Sequence, residues 1–259
     1  MLFRSFFSNT FPTDGIKTLI REVFSRLAGK SSGSPVIRLE TSFGGGKTHD
    51  QIALWHICKQ GRSIVGLERF VDLDAIPSAK VAVAAIDGRD LDPENGIYHA
   101  DTGVTAYTLW GEIAYQISGI TGYQLLQGSD KSGIAPGTSV LERLIEGKPS
   151  VIVLDEVACY LRKAKAKQVG NNSDASQQVV AFLFSLMDLA AACDKLVFVY
   201  SLASTADTFA EETNELQELL RASARQERVL SPSTDVEIYN IVKQRLFASV
   251  DSEIGRAHV

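Results

Sequence analysis

The stretch that decides the fold runs from Val36 to His49 and reads V-I-R-L-E-T-S-F-G-G-G-K-T-H. Its first residues, Val36 to Leu39, predict a strand, and a helix is expected to begin near Lys47. The three glycines between them remove Cβ atoms where the chain must turn, so that backbone N–H groups and a helix N-terminus face one point. This arrangement is the physical basis of a phosphate-binding loop.

The loop departs from the consensus G-x-x-x-x-G-K-[ST] at one position, because Thr41 stands where the first glycine belongs. The strand before the loop and the helix after it agree with the consensus. We expect Lys47 to reach the β- and γ-phosphates of ATP, and the Thr48 hydroxyl to bind Mg²⁺. The predicted nucleotide-binding residues are Ser42, Phe43, Gly44, Gly45, Gly46, Lys47, Thr48 and His49.

A second apolar strand, Val151 to Leu154, delivers two carboxylates at its C-terminal end, Asp155 and Glu156. Ligands of open α/β sheets bind at that end of the strands. We expect Asp155 to hold Mg²⁺, directly or through water, as the acidic residue of a Walker B strand does. Glu156 is the candidate for orienting or deprotonating the attacking water.

Two further positions are candidates for catalysis. Ser201 follows the apolar run Leu196 to Tyr200 and is expected to bind the γ-phosphate or position the water, with Ser204 in reserve; the alternative is a hydroxyl that caps the next turn. Arg225 is the candidate arginine finger on a neighbouring subunit's nucleotide, and a surface ion pair is the alternative. It belongs to a cluster of three arginines, Arg221, Arg225 and Arg228.

The remaining pattern alternates strands and helices, which predicts an α/β fold with a mostly parallel sheet covered by helices on both faces. Apolar runs predict strands at 36–39, 81–86, 151–154 and 196–200, with a fifth at 229–230. Helical spacing predicts helices over 14–28, 104–117, 139–145, 177–192 and 211–225, and a last one that begins at Thr234 or Asp235. Residues 162–177 are expected to form an exposed loop.

Composition and charge exclude several classes of protein. With 259 residues, 45% hydrophobic and 22% charged, the chain is typical of a soluble globular protein, and its net charge of -5 disfavours a general DNA-coating role. No apolar run approaches the length of a membrane span. The three cysteines are far apart and lie in apolar segments, which favours reduced, buried thiols in a cytoplasmic protein.

Both ends of the chain resemble translated sequencing adapters, at residues 1–5 and 253–259, and we expect these to be non-native. The predicted single domain therefore spans residues 6–250. It consists of an N-terminal helix at 14–28, a core at 35–230 and a last helical segment within 234–250.

Several motifs together resemble a large prokaryotic P-loop ATPase family that is known as a domain of unknown function and is often found in anti-phage defence islands. They are L-E-T-S-F-G-G-G-K-T-H at 39–49, T-L-W-G-E-I-A at 108–114, A-P-G at 135–137, the Asp155-Glu156 strand and Q-R-L-F at 244–247. More distantly, the order of parts is similar to AAA+ ATPases of the origin-recognition type. This resemblance implies a three-layer αβα P-loop fold of about five strands, with the strand of Ser201 between the strand before the glycine loop and the strand of Asp155. It also implies a nucleotide at a subunit boundary and a C-terminal lid, of which residues 234–250 would be the start.

Three functions fit these residues. The first is an Mg²⁺-dependent ATP hydrolase within a larger defence-associated or DNA-associated protein. The second is an ATP-gated switch or assembly module with little turnover, and the third is a P-loop kinase. A homo-oligomer or a multi-domain parent chain is expected, without a membrane.

Other residues carry weaker hypotheses. Lys163, Lys165 and Lys167 either contact nucleic acid or lie in a solvated loop. Asp87, Asp90 and Asp92 either line the nucleotide cleft or form an acidic turn. His49 and His56 lack a third ligand, which disfavours a metal site.

Overall fold

The structure is a computed structural model that describes residues 3–30, 33–41, 45–203 and 227–246. The strands in these ranges are β1 (Val36–Thr41), β2 (Ala82–Asp87), β3 (Ile97–His99), β4 (Val104–Ala106), β5 (Ser150–Asp155), β6 (Gln168–Val169), β7 (Ser173–Asp174), β8 (Leu196–Ala203) and β9 (Glu227–Leu230). The α-helices are α1 (Phe3–Asn9), α2 (Asp14–Leu27), α3 (Lys47–Gln60), α4 (Leu109–Ser132), α5 (Thr138–Ile145), α6 (Val157–Ala164), α7 (Ala175–Ala192) and α8 (Asp235–Leu246).

The main sheet of the described ranges has five parallel strands in the order β2-β5-β8-β1-β9. The expected α/β fold with a parallel five-stranded sheet is therefore confirmed. Strand β8, which carries Ser201, lies between β1 and β5, in the place that the resemblance implied. Two small antiparallel pairs, β3–β4 and β6–β7, stand apart from this sheet.

Helices cover both faces of the sheet, because side chains alternate between the faces along each strand. On β5, Val151 and Val153 pack with α1, α2 and α3, whereas Ile152 and Leu154 pack with α4, α5, α6 and α7. The edge strand β2 is closed on its outer side, where the Gln116 side chain of α4 accepts the Ala85 N–H at 2.8 Å. Two apolar layers thus hold the strand ends at fixed heights.

One helix among the described residues, α7, is long and apolar enough to cross a membrane by length and composition. Half of it is buried inside the protein, where it packs against β8 and the neighbouring helices. This burial is typical of the core helix of a soluble protein.

The predicted helix over residues 104–117 was wrong at its start. Val104–Ala106 forms strand β4, and the helix begins only at Leu109. Two contacts determine this boundary: Thr108 accepts the Gly111 N–H at 3.1 Å as an N-cap, and the buried Asp130 carboxylate accepts the Thr108 N–H at 2.8 Å. Asp130 lies 22 residues beyond Thr108, so the local sequence around residue 108 does not predict the second contact.

The predicted exposed loop over residues 162–177 was wrong in its secondary structure, although the turns at 165–166 and 170–172 are exposed. Helix α6 extends to Ala164, the β6–β7 hairpin follows, and α7 begins at Ala175 after a capping box formed by Asp174 and Gln177. The expectation of three buried thiols holds only for Cys58, because Cys159 and Cys193 are partly exposed, although all three are free.

The N-terminal region contains one helix that was not predicted, α1, whose Phe7 side chain is buried in the core. Thr13 is the N-cap of α2, since its hydroxyl accepts the Ile16 N–H at 3.2 Å. The predicted strand at 229–230 corresponds to β9, and the predicted last helix corresponds to α8. The helix predicted over 211–225 lies outside the described residues.

Candidate functional site

Four neighbouring strands carry polar side chains at or near their C-terminal ends. Strand β1 ends at Thr41, β2 at Asp87 and β5 at Asp155, and Ser201 lies near the end of β8. Because the strands are parallel, these residues share one edge of the sheet, where Asp87 and Asp155 are paired in register. In open α/β sheets this is the edge that binds ligands.

The glycine-rich turn connects β1 to α3 at this edge. Gly46 has φ +94°, which favours glycine, and its carbonyl accepts the Asp50 N–H at 3.0 Å to start the helix. A Cβ atom on Gly45 would overlap the Thr41 side chain, so the turn packs back on β1. Three of the predicted binding residues, Ser42, Phe43 and Gly44, lie outside the described residues.

Lys47 is buried at the first position of α3. Its ammonium group donates to the carbonyl oxygen of Thr41 at 2.8 Å, at the other end of the glycine-rich turn. The side chain therefore folds back across the turn and places a positive charge beside it.

The structure joins the two halves of the predicted site. Thr48, in the first turn of α3, donates from its hydroxyl to Asp155 Oδ2 at 2.5 Å, although the two residues are 107 positions apart. The other carboxylate oxygen, Oδ1, accepts from the hydroxyl of Ser201. Both Asp155 and Ser201 are buried. A hydroxyl and a carboxylate are oxygen ligands of the kind that Mg²⁺ prefers.

Glu156 follows Asp155 in a left-handed conformation, with φ 52° and ψ 45°. Its N–H lies 3.1 Å from Asp155 Oδ1 and 3.1 Å from Ser201 Oγ. Its carboxylate accepts from the thiol of Cys159 at 3.7 Å. Gly88 packs against the Glu156 carbonyl so closely that no Cβ atom fits between them.

An ion pair lies at the end of β2, the strand that pairs with β5. Arg89 binds both carboxylate oxygens of Asp87, at 2.6 Å and 3.0 Å. Partial burial acts to raise the pKa of Asp87, but the hydrogen bonds and charge of Arg89 outweigh it, and the pKa is lowered. Asp92 instead accepts the Glu94 and Asn95 N–H groups, so this part of the acidic sequence forms a turn.

Two of the three lysines considered for nucleic-acid contact are held by backbone carbonyls. Lys163 donates to the carbonyl oxygens of Arg89 and of Leu91, the latter at 3.1 Å. Lys167 donates to the carbonyl oxygen of Pro93. These ammonium groups fasten the loop after β2 to α6 and the turn that follows it.

His49 is enclosed by the N-terminal segment and by α8. Arg245 NH2 lies 3.2 Å from His49 Nδ1, and the Thr10 hydroxyl lies 2.9 Å from Nε2. Because arginine can only donate, Nδ1 accepts, and Nε2 carries the proton that is donated to Thr10, which donates in turn to the Phe6 carbonyl. Burial, reinforced by the Arg245 charge, lowers the pKa of His49 to about 4.

The segment before α8 packs directly on the glycine-rich turn. Pro232 lies against Gly46, and its carbonyl oxygen accepts the Thr13 hydroxyl at 2.7 Å. Asp50, in the first turn of α3, is buried, and its Oδ2 has no hydrogen-bond partner within the described parts of the chain. Burial, with a smaller contribution from Glu237, raises the pKa of Asp50 well above its usual range.

A groove of about 200 Å³ begins at Thr48 and Asp155 and runs along α3. Its walls are mostly apolar and include Ile52 and Trp55. Trp55 thus borders the site, whereas Trp110 is buried in the core. A second cavity, of about 280 Å³, is lined by none of the predicted site residues.

The arginine cluster is only partly described. Arg228 forms an ion pair with Glu22 at 2.8 Å, the alternative that was considered for surface arginines. Arg225, Arg221 and Ser204 lie outside the described residues, so the arginine finger stays a prediction. No group of three or more histidine, cysteine or acidic residues suited to a metal occurs in the part of the chain that the structure describes.

These features define an α/β protein whose candidate site is built from a glycine-rich turn, a helix N-terminus and the carboxylates that follow parallel strands. The chain belongs to the DUF499 family: residues 3–225 match the DUF499 N-terminal domain. Strand β9 and helix α8 follow the matched range. No curated protein matches the chain.

Sequence reasoning missed several residues that shape the site. Gly88, Thr10 and Asp50 were not singled out, because their roles depend on contacts between distant segments. Arg245 stood only in a motif that carried the resemblance.

Proposed function

We propose that this protein binds ATP with Mg²⁺ and hydrolyses it. The observation that carries the proposal is the contact between Thr48 and Asp155, which joins the helix after the glycine-rich turn to the end of β5. Thr48 and Asp155 would hold the Mg²⁺ ion, which supplies charge neutralisation for the phosphates. Lys47 would bind the phosphates, together with backbone N–H groups of Gly45 and Gly46.

Glu156 is the proposed general base. It is the carboxylate next to the metal-binding position, and its backbone is held by hydrogen bonds to Asp155 and Ser201. A base must lie within reach of the water that it activates, and the C-terminal edge of the sheet is where the γ-phosphate is expected. The assignment of Glu156 is also supported by the resemblance to AAA+ ATPases of the origin-recognition type and to a P-loop ATPase family that is often found in anti-phage defence islands.

The test compares Glu156→Gln and Lys47→Ala with the parent protein. We expect Glu156→Gln to keep ATP binding and to lose phosphate release by at least about a hundredfold, as removal of a general base does. Lys47→Ala should lose ATP binding itself. Glu142→Gln, in the exposed part of α5, is the matched control and should behave as the parent does.

Hydrolysis by Glu156→Gln at the parental rate would contradict the role of this residue. ATP binding by the parent without steady-state phosphate release would favour the switch instead, and transfer of labelled phosphate to a metabolite would favour a kinase. Absence of ATP binding by the parent protein would refute the proposal as a whole.

The partners and the location are proposals as well. We infer a cytoplasmic protein that works as a homo-oligomer or within a longer chain, with no membrane contact. The apolar side chains that α8 exposes, Val236, Tyr239 and Leu246, support an association surface. Light scattering with and without ATP tests self-association, and phosphate release with and without DNA tests a nucleic-acid partner.

A further inference from the structure

Ser201 is fully buried near the C-terminal end of β8, beside the last residue of β5. Leu154 pairs with Tyr200 across these strands, so the residues that follow, Asp155 and Ser201, lie at the same height. Both side chains project to the face of the sheet that α3 covers, because they share the alternation of Val153 and Val199. The register of the sheet therefore brings the serine hydroxyl to the carboxylate.

The single hydroxyl hydrogen of Ser201 is committed to one acceptor. It is donated to Asp155 Oδ1, while the serine oxygen accepts from the Glu156 N–H at 3.1 Å. A serine hydroxyl has one proton to donate, so in this arrangement Ser201 offers none to a phosphate or a water. This differs from the direct role in γ-phosphate or water binding that the sequence suggested.

The two oxygens of Asp155 consequently have different tasks. Oδ2 faces the Thr48 hydroxyl, at 2.5 Å. Oδ1 is held by the Ser201 hydroxyl and by the Glu156 N–H, the latter at 3.1 Å. Rotation of the carboxylate would break both contacts to Oδ1, so these two contacts fix the orientation of Oδ2 toward Thr48.

The same hydroxyl supports the unusual backbone of Glu156. A glutamate with φ 52° lies in a region that L-residues seldom adopt. Its N–H reaches both Ser201 Oγ and Asp155 Oδ1 in this conformation. Ser201 thus touches the metal-binding carboxylate through its proton and the peptide of the candidate base through its lone pair.

We propose that Ser201 is a positioning residue, which aims Asp155 Oδ2 at the Mg²⁺ position and holds the Glu156 peptide. This inference rests on the proposed Mg²⁺-dependent ATP hydrolysis. Loss of the hydroxyl frees the Asp155 carboxylate to rotate, so the effect appears in the affinity for the metal. Residues that orient metal ligands change metal affinity or activity by about 10- to 100-fold when they are replaced.

The experiment measures phosphate release against Mg²⁺ concentration at saturating ATP, and ATP binding in EDTA. Ser201→Ala should raise the Mg²⁺ concentration for half-maximal rate by about tenfold or more, and leave metal-free ATP binding within about twofold of the parent. Ser150→Ala is the matched control, since Ser150 is equally buried on β5 but lies at the opposite edge, where it donates to the Lys148 carbonyl at 2.9 Å. It should leave the Mg²⁺ dependence unchanged.

A second pair of variants covers the case in which Ser201→Ala does not fold. Ser201→Thr and Ser201→Val have the same shape and differ by one hydroxyl, so only the threonine should keep the parental Mg²⁺ dependence. The inference is overturned if Ser201→Thr and Ser201→Val have the same Mg²⁺ dependence, or if Ser201→Ala has that of the parent. In either case, hydrolysis of ATP by the parent still supports the proposed function.

A lower maximal rate of Ser201→Ala with an unchanged Mg²⁺ requirement also overturns the inference, and assigns Ser201 to the water or the phosphate. A parent protein that neither binds Mn²⁺, followed by its electron paramagnetic resonance signal, nor hydrolyses ATP overturns the proposed function and this inference together.

Discussion

Replacement of Gly88 by alanine tests whether the loop after β2 determines the position of Glu156. A Cβ atom on Gly88 would overlap the Glu156 carbonyl oxygen and lie 3.1 Å from its carbonyl carbon and from the Cβ of Tyr160. Carbon atoms pack best at about 3.5–4.0 Å, so each of these neighbours must move by roughly 0.4 Å or more. The Gly88 N–H also donates to the Asp155 carbonyl at 2.8 Å, which prevents the loop from simply moving away.

Overpacking of this kind costs about 1–3 kcal/mol of unfolding free energy. At this chain length, about 1 kcal/mol lowers the melting temperature by roughly 2–4 °C, so Gly88→Ala should melt about 2–12 °C below the parent. Because the displaced carbonyl belongs to Glu156, phosphate release should fall by about a hundredfold at most, with ATP binding retained.

Gly128→Ala is the matched control for this substitution. Gly128 lies exposed within α4, and a Cβ atom there meets nothing within 4 Å. Alanine favours a helix over glycine by about 1 kcal/mol, so this variant should be at least as stable as the parent and equally active. A Gly88→Ala protein that melts and hydrolyses ATP as the parent does would refute the reasoning.

Three further predictions concern the first turn of α3 and its neighbours. Because the pKa of Asp50 is raised, its stabilising contribution is complete below its ordinary pKa near 3.8 and is lost as the pH rises through the raised value. Asp50→Asn should therefore melt above the parent at about pH 8 but not at about pH 3. Glu68→Gln, at an exposed site, is the control and should melt as the parent does at both pH values, and equal melting of Asp50→Asn and the parent at about pH 8 would contradict the assignment. Arg245→Leu removes the cation next to His49, so an NMR titration should find the pKa of His49 above its present value of about 4, and an unchanged value would exclude the contact in solution. The added Cβ atom of Gly15→Ala would overlap two backbone carbonyl oxygens of the segment before α8, so chemical denaturation should show an unfolding free energy about 1–3 kcal/mol below that of the parent. An unchanged unfolding free energy would mean that this segment does not pack on α2.

The sheet was predictable because its strands are apolar on both faces and end in recognisable turns. The runs at Val151–Leu154 and Leu196–Tyr200 coincide with strands β5 and β8, which are each slightly longer than predicted. The start of α4 was not predictable, because the Asp130 carboxylate that stabilises it is brought there only by the tertiary fold. Local propensity is overruled wherever a distant side chain supplies a cap.

The candidate site divides in the same way. The contact of Thr48 with Asp155 follows from a loop motif and an acidic strand end, both of which are visible in the sequence. The contact of Ser201 with Asp155 is not visible in the sequence, because it depends on the register between β5 and β8. A shift of one residue in that register would turn the serine hydroxyl to the other face of the sheet. Residue types were therefore predictable at this site, whereas the donors and acceptors of individual atoms were not.

Glu156 is where local preference and the fold disagree. Among the described residues other than glycine, Glu146 and Glu156 have positive φ; Glu146 ends α5 ahead of Gly147, whereas Glu156 begins a helix, where no such turn is required. A left-handed glutamate costs about 1–3 kcal/mol, and glycine at the same position would avoid most of this cost. Strain of this kind persists where a side chain is needed for function. We therefore expect Glu156→Gly to melt at or above the temperature of the parent protein and to release no phosphate from ATP, since it keeps the backbone and removes the carboxylate. A variant that melts clearly lower would mean that contacts of the Glu156 side chain, and not a catalytic requirement, account for its conformation.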